Sequence, residues 1–268
     1  MASVTENKRG KKKDAIYPIL GVTGLLACWH LAVVLFAIPE YVLPTPHVTA
    51  IHFFQNLGIL YPNALATVYE TFAGLLLAIS FSIVFSVIVV WFRPIEKLVM
   101  PVMVLLQTTP KIAVAPLFLV WFGLGFLPKI IISFWLAYFP IVVNMITGLR
   151  DIHPEMIDLS RSMSASKLQT FLKVRFPNSL PYLFTGVKLG GIVALLGAIL
   201  GEYVGADKGL GYLIMWANNS YDVKLLFSVV IALVLIGKAI FSIIVLIEKH
   251  TISWHVSARG GGEKFFTA

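Results

Sequence analysis

Long apolar runs alternate along the chain with short clusters of charge and proline. Ile16 to Ile38, Thr71 to Phe92 and Ile130 to Leu149 carry no formal charge, while Leu98 to Phe122, Leu183 to Gly201 and Leu225 to Ile247 carry one lysine each. A helix needs roughly 20 apolar residues to cross a hydrocarbon core of about 30 Å with its backbone polar groups satisfied internally. The pattern therefore predicts six transmembrane helices and an all-α integral membrane protein. One such run could be a buried helix of a soluble domain, but six of them in 268 residues leave too little polar surface to cover them. Composition agrees, with 58% hydrophobic and 13% charged residues against roughly 45–50% and 25% in soluble domains. The single cysteine, Cys28, excludes an intramolecular disulfide, and no Cys/His cluster has zinc-ligand spacing.

The net charge of +8 is informative through its distribution. With the N-terminus in the cytoplasm, fifteen of the 21 Lys and Arg residues fall on the cytoplasmic side; Lys129, Lys208 and Lys224 fall outside, and Lys111, Lys188 and Lys238 within spans. The positive-inside rule selects that orientation, a multi-pass protein with both termini cytoplasmic. The basic balance is then a topology signal and no nucleic-acid partner is expected. Residues 1–15 form a basic cytoplasmic tail, 16–38 the first span and 251–268 a cytoplasmic C-terminal tail. The 23-residue first run exceeds a signal-peptide core and lacks a small-x-small cleavage site, so it reads as an uncleaved helix. Leu25-Leu26-Ala27-Cys28 faintly resembles a lipoprotein box, but the apolar run continues past the cysteine.

The segment from Arg150 to Tyr182, between the fourth and fifth runs, is both charged and amphipathic. Pro154 suits a first helical position, and Glu155 and Asp158 suit the positive end of the helix dipole. Met156, Leu159 and Met163 follow at helical spacing. Ser164-Ala165-Ser166 reads as a turn, and Ser166 to Gln169 as a capping box opening a second short helix that Pro177 and Pro181 end. Two short helices with an apolar stripe would pack on lipid or dock a cytoplasmic protein.

At this segment a resemblance enters. Asp158-Leu159-Ser160, three residues, Ser164, nine residues, Val174, one residue and Phe176-Pro177 reproduce the EAA-x3-G-x9-I-x-LP spacing of ABC-importer permeases. PTPHVTAI, QTTPKIAVAPLFLVWFGLG, GEYVGADKGLGYLI and the SWH at Ser253 to His255 resemble the nitrate/sulfonate/taurine branch, so the resemblance runs from about Val42 to His255. It implies a type I importer permease domain over about 65–250, in the inner membrane of a bacterium. It also implies two copies of the chain on a cytoplasmic ABC ATPase dimer that holds the ATP and Mg, with an extracytoplasmic solute-binding protein and no cofactor in this chain. Coupling would fall to Glu155, Asp158, Leu159, Ser160, Arg161, Ser164, Ala165, Ser166, Phe176 and Pro177. Two positions depart from the family pattern: the loop glycine is Ser164, and Glu70 stands where many relatives have arginine. The branch implies a small solute such as a sulfonate, taurine or nitrate, or a thiamine-pyrimidine precursor.

The remaining chemistry is sparse. The sequence contains no GxxxxGK[ST] loop, so an ATPase must be a separate subunit, and no G-x-S-x-G elbow or paired catalytic carboxylates point to an enzyme. Lys111 lies roughly 20 Å and 17 Å from the two ends of its run, near the midplane. Gln107, four residues earlier, would share its helix face, and Pro110 and Pro116 interrupt the helix. Both side chains are candidates for a translocation path. Gly186 with Gly190, and Gly197, Gly201 and Gly205, permit close packing within the bundle or a homodimer seam. Glu202, Asp207, Gly209 and Gly211 are candidates for an outer gate or for docking a binding protein. Without the family resemblance, a self-sufficient channel or secondary transporter would fit the same spans.

Overall fold

The computed structural model describes residues 2–252, and every regular element among them is helical. In chain order these are α1 (Ala2–Leu35), α2 (Pro46–Gln55), α3 (Leu57–Trp91), α4 (Arg93–Thr108), α5 (Lys111–Phe122), α6 (Phe126–Arg150), α7 (Pro154–Ser162), α8 (Lys167–Thr170), α9 (Phe176–Gly205), α10 (Leu210–Asn219) and α11 (Val223–Thr251). Four continuous helices are long and apolar enough to cross a membrane: Leu57–Trp91, Phe126–Arg150, Lys167–Gly205 and Val223–Thr251. The other two predicted spans fall on shorter apolar stretches, Leu20–Leu35 within α1 and Ala113–Phe122 within α5. The C-terminal tail from residue 253, with the SWH, lies outside the described residues.

Three boundaries differ from the sequence reading. The helix of the first run starts at Ala2, through the segment expected to be a tail. The second helix starts at Leu57, fourteen residues before the uncharged run, because Pro62 lies near enough to its start to forfeit few backbone bonds. The third run is two helices rather than one. Thr109, restricted by the proline after it, is extended (φ −64°, ψ 133°) and Pro110 follows at ψ 92°, while the Thr108 and Thr109 hydroxyls donate to the Leu105 carbonyl at 2.8 and 3.1 Å. Pro110 thus breaks the helix, whereas Pro116 is carried inside α5.

The chain divides into two compact units, residues 2–60 with 214–231 and residues 61–213 with 232–252. In the first unit Pro46 opens α2, Trp29 meets Phe227 at 5.6 Å between ring centres, and a ring nitrogen of His52 lies 3.2 Å from the Ser228 hydroxyl. Glu40 pairs with Lys224 at 2.6 Å, which holds its carboxyl below the usual range.

The second unit is organised by α6 packed along α9. Apolar burial gains little inside lipid, so close fit must hold spans together. Gly186, Gly190, Gly197 and Gly201 recur on one face of α9 and all meet α6. A Cβ on Gly197 would lie 2.7 Å from the Ser133 Cα, and one on Gly201 3.0 Å from the Lys129 Cα. The Ser133 hydroxyl donates to the Ala194 carbonyl at 2.9 Å across the same seam. The glycine ladder is therefore used within the chain. Behind it Leu75, Ile141, Met145, Leu195, Ile240 and Ile244 form the core.

Candidate functional site

The segment between α6 and α9 folds much as its sequence reads. Pro154 opens α7 after His153, and Glu155 sits in its first turn. Met156, Leu159 and Met163 are exposed at 46%, 62% and 74%, so the predicted stripe is presented outward. Asp158 and Arg161 are also exposed, 3.7 Å apart. Ser160 faces inward, its hydroxyl donating to the Ile157 carbonyl at 2.8 Å and lying 3.3 Å from that of Thr170.

The end of α7 is a Schellman turn. The Ser164 N–H donates to the Arg161 carbonyl at 2.9 Å and the Ala165 N–H to the Ser160 carbonyl at 3.0 Å, with Ser164 left-handed at φ 56°. This is where the related motif has its glycine, so the turn keeps its geometry and the serine bears the strain, about 1–2 kcal/mol for an L residue. Two residues on, the capping box forms as its sequence predicts: the Gln169 N–H donates to the Ser166 hydroxyl at 3.2 Å and the Ser166 N–H to the Gln169 side chain at 2.8 Å.

Pro177 and Pro181 do not end the second helix, contrary to the sequence reading. Phe171–Arg175 form a π-turn in which the Phe176 N–H donates to the Phe171 carbonyl, and α9 starts there with Pro177 in its first turn. The wider turn accommodates the missing Pro177 N–H, so Lys167–Gly205 is one continuous 39-residue helix. Phe176 packs against the main core. The loop is tied down at its base, where Asn178 donates to the Asp151 carbonyl at 2.6 Å, the Tyr182 hydroxyl donates to the Asp151 carboxylate, and Arg150 pairs with Glu96.

The GEYVGADKGLG stretch is built around a buried carboxylate. Glu202 is fully buried, accepting from the Thr67 hydroxyl at 2.7 Å and from the Gly211 N–H at 2.7 Å. The Leu210 N–H donates to Thr67 Oγ1 at 2.9 Å and the Gly209 N–H to Asn63 Oδ1 at 2.8 Å. Side chains of α3 and α9 thus satisfy the first amides of α10, and a carboxylate sits at the positive end of its dipole. The turn requires its glycines: Gly209 has φ 118°, and a Cβ on Gly211 would lie 2.3 Å from the Ile199 carbonyl oxygen. Asp207 is exposed, whereas Gly209 and Gly211 are buried.

Beside this cap, Lys129 pairs with Glu70 at 2.7 Å, with side chains 3% and 0% exposed. The second Glu70 oxygen accepts from no N–H or hydroxyl among the described residues and lies beside the Glu202 carboxyl. Sequence reasoning noticed Glu70 only as a departure and assigned Lys129 to the outside. The available signal was Asn63, Thr67 and Glu70, polar at helical spacing ahead of an apolar run. Lys188, one of the lysines within spans, pairs with Glu248 at 2.7 Å, while Lys238 is exposed.

Gln107 is in the last turn of α4 and Lys111 begins α5, so the break at Thr109–Pro110 removes the shared helix face expected of them. Their side chains lie outside those described. Among the described residues no group of His, Cys, Asp and Glu is arranged to hold a metal ion.

Apolar membrane-length helices, a broken third span and an amphipathic loop continuous with the fifth define a polytopic helical membrane protein. Residues 71–253 match the family described as binding-protein-dependent transport system inner membrane component, and the chain belongs to that family. It is a multi-pass membrane permease of an ABC transport system, in a family of transporters rather than enzymes. It is 35% identical over 89% of its length to 97% of the probable ABC transporter permease protein of Haemophilus influenzae. It is 33% identical to the riboflavin transport system permease protein RibX of Chloroflexus aurantiacus, covering 87% of this chain and 88% of that one. With the formylaminopyrimidine transport permease protein ThiX of Halalkalibacterium halodurans the identity is 31%, over 90% and 96%. The fold is also that of the MetNI methionine ABC transporter in an inward-facing conformation, with a TM-score of 0.62 at 21% identity over 72% of this chain and 96% of that one.

Proposed function

We propose that two copies of this chain form the membrane pathway of an ABC importer, with α7 and α8 on the cytoplasmic side docking a separate ATPase dimer that binds ATP and Mg. The observation that carries this reading is the outward stripe of Met156, Leu159 and Met163, fixed by a Schellman turn and a capping box and joined to the continuous helix Lys167–Gly205. The exposed Glu155, Asp158 and Arg161 give that face its charge pattern, and Ser164, Ala165 and Ser166 hold its turn. The basic clusters at the N-terminus, at Arg93 and Lys97 and along this loop support a cytoplasmic side for the loop and both termini. The Glu202 cap then lies at the outer end, where the exposed Asp207 beside the Gly209–Gly211 turn meets a solute-binding protein or gates the path.

RibX and ThiX are named for riboflavin and formylaminopyrimidine, both nitrogen heterocycles. A thiamine-pyrimidine precursor or a related heterocycle is accordingly the first solute to test, ahead of a sulfonate, taurine or nitrate. Gln107 and Lys111, flanking the break in the third span, remain the path residues, and Lys111→Met is expected to impair uptake without loss of ATPase docking.

The test is a mild-detergent pull-down of the tagged chain with mass spectrometry. A stoichiometric P-loop ATPase supports the reading, and a chain recovered alone and intact removes it. In the reconstituted complex Asp158→Lys is expected to uncouple ATP hydrolysis from uptake; normal coupled transport would refute the placement of the docking face.

A further inference from the structure

Behind the outward stripe, the inner face of the same loop closes a groove of about 730 Å³ against the ends of α3, α4 and α6. Four cations line it, Arg150, Arg161, Lys167 and Arg175, against one acid, Glu96. Glu96 is paired with Arg150, and Arg161 has Asp158 at 3.7 Å. Among the described residues no carboxylate is within ion-pair distance of Lys167 or Arg175. The wall is not wholly polar, because Trp91 and Phe171 meet there edge to face at 5.3 Å.

We propose that this groove holds the headgroup of an anionic phospholipid. Position argues for a lipid: α3 ends at Trp91 and α6 ends at Arg150, so the groove sits beside the ends of the second and fourth spans. Volume agrees, since the space exceeds a bare phosphate and suits a glycerophosphate headgroup. Charge agrees as well, because guanidinium groups bind phosphate oxygens through paired donors and basic pockets at span ends attract anionic lipid. The aromatic wall gives the glycerol and upper acyl carbons an apolar surface. The function proposed above is needed only to assign the groove to the cytoplasmic leaflet.

The experiment reconstitutes the full chain, without ATPase, in phosphatidylcholine nanodiscs doped with phosphatidylglycerol, and counts retained lipid by native mass spectrometry. Retention of phosphatidylglycerol over phosphatidylcholine is expected, weakened about fivefold for each cation removed, hence roughly 25-fold in Lys167→Gln/Arg175→Gln. Glu96→Gln, which frees Arg150, is expected to strengthen retention about fivefold, a gain that misfolding cannot mimic. Lys97→Gln, an exposed lysine of α4 that does not line the groove, is expected to change nothing. Equal retention in the wild type and the double variant overturns the proposal. So does displacement of the lipid by millimolar inorganic phosphate, which would make this a site for a free anion. Because retention is read with no ATPase present, it tests the groove separately from the docking reading.

Discussion

At one end of the second unit Glu70, Lys129 and Glu202 are sealed from solvent, each with a partner at 2.7 Å. On α7 the Asp158–Arg161 pair is 3.7 Å apart with side chains about three-quarters exposed. The same residue types serve opposite ends. A buried, fully hydrogen-bonded polar side chain leaves its site only at high cost, so Glu202 fixes backbone geometry, here the start of α10; an exposed pair contributes at most about 1 kcal/mol and stays available to a partner. Burial, more than the presence of charge, separates the scaffold from the proposed interaction surface.

The largest test of that contrast is Lys129→Met, which strands the Glu70 carboxylate. A loss of roughly 3–5 kcal/mol is expected, seen as a large fall in Tm in detergent, with most of it recovered in Lys129→Met/Glu70→Leu. Similar Tm values for wild type and the single variant would mean the pair is not buried in the folded protein. Gly211→Ala should cost about 1–3 kcal/mol by the same thermal assay, because its Cβ must displace the Ile199 carbonyl. Ser164→Gly has the opposite sign: relieving the left-handed serine should stabilise the loop by about 1 kcal/mol, read as slower amide exchange across Ser160–Gln169. The smallest effect on stability belongs to Leu159→Asp on the exposed stripe, within about 0.5 kcal/mol, yet ATPase capture should fall by more than tenfold. A Tm drop matching that of Lys129→Met would place Leu159 in the core and erase the distinction between the two ends.

The loop was legible in the sequence because its determinants are local. Pro154, the Ser166–Gln169 box and the stripe at i, i+3, i+7 each act within a turn or two, and all appear where their spacing predicts. The opposite end was opaque because its partners are distant in the chain. Glu202 finds Thr67 across 135 positions and Lys129 finds Glu70 across 59, pairings that no local pattern encodes. The prolines do not act alike. Pro110 breaks its helix, but Pro62, Pro116 and Pro181 lie inside theirs, because the cost depends on whether nearby groups can take up the lost bond. The shared face of Gln107 and Lys111 failed for that reason, as i, i+4 arithmetic presupposes an unbroken helix.

The π-turn at Phe171–Arg175 also sets an angle. A π-turn winds about 80° per residue where an α-helix winds about 100°, so its five residues cover nearly the rotation of four α-helical ones. The bulge therefore absorbs one residue, and Lys167–Thr170, with α7 before it, keep the direction around the axis of the fifth span that a helix one residue shorter would give. Wound as ordinary α-helix with no residue removed, the same sequence would swing the outward stripe by about 100°, so the bulge holds the azimuth of the loop.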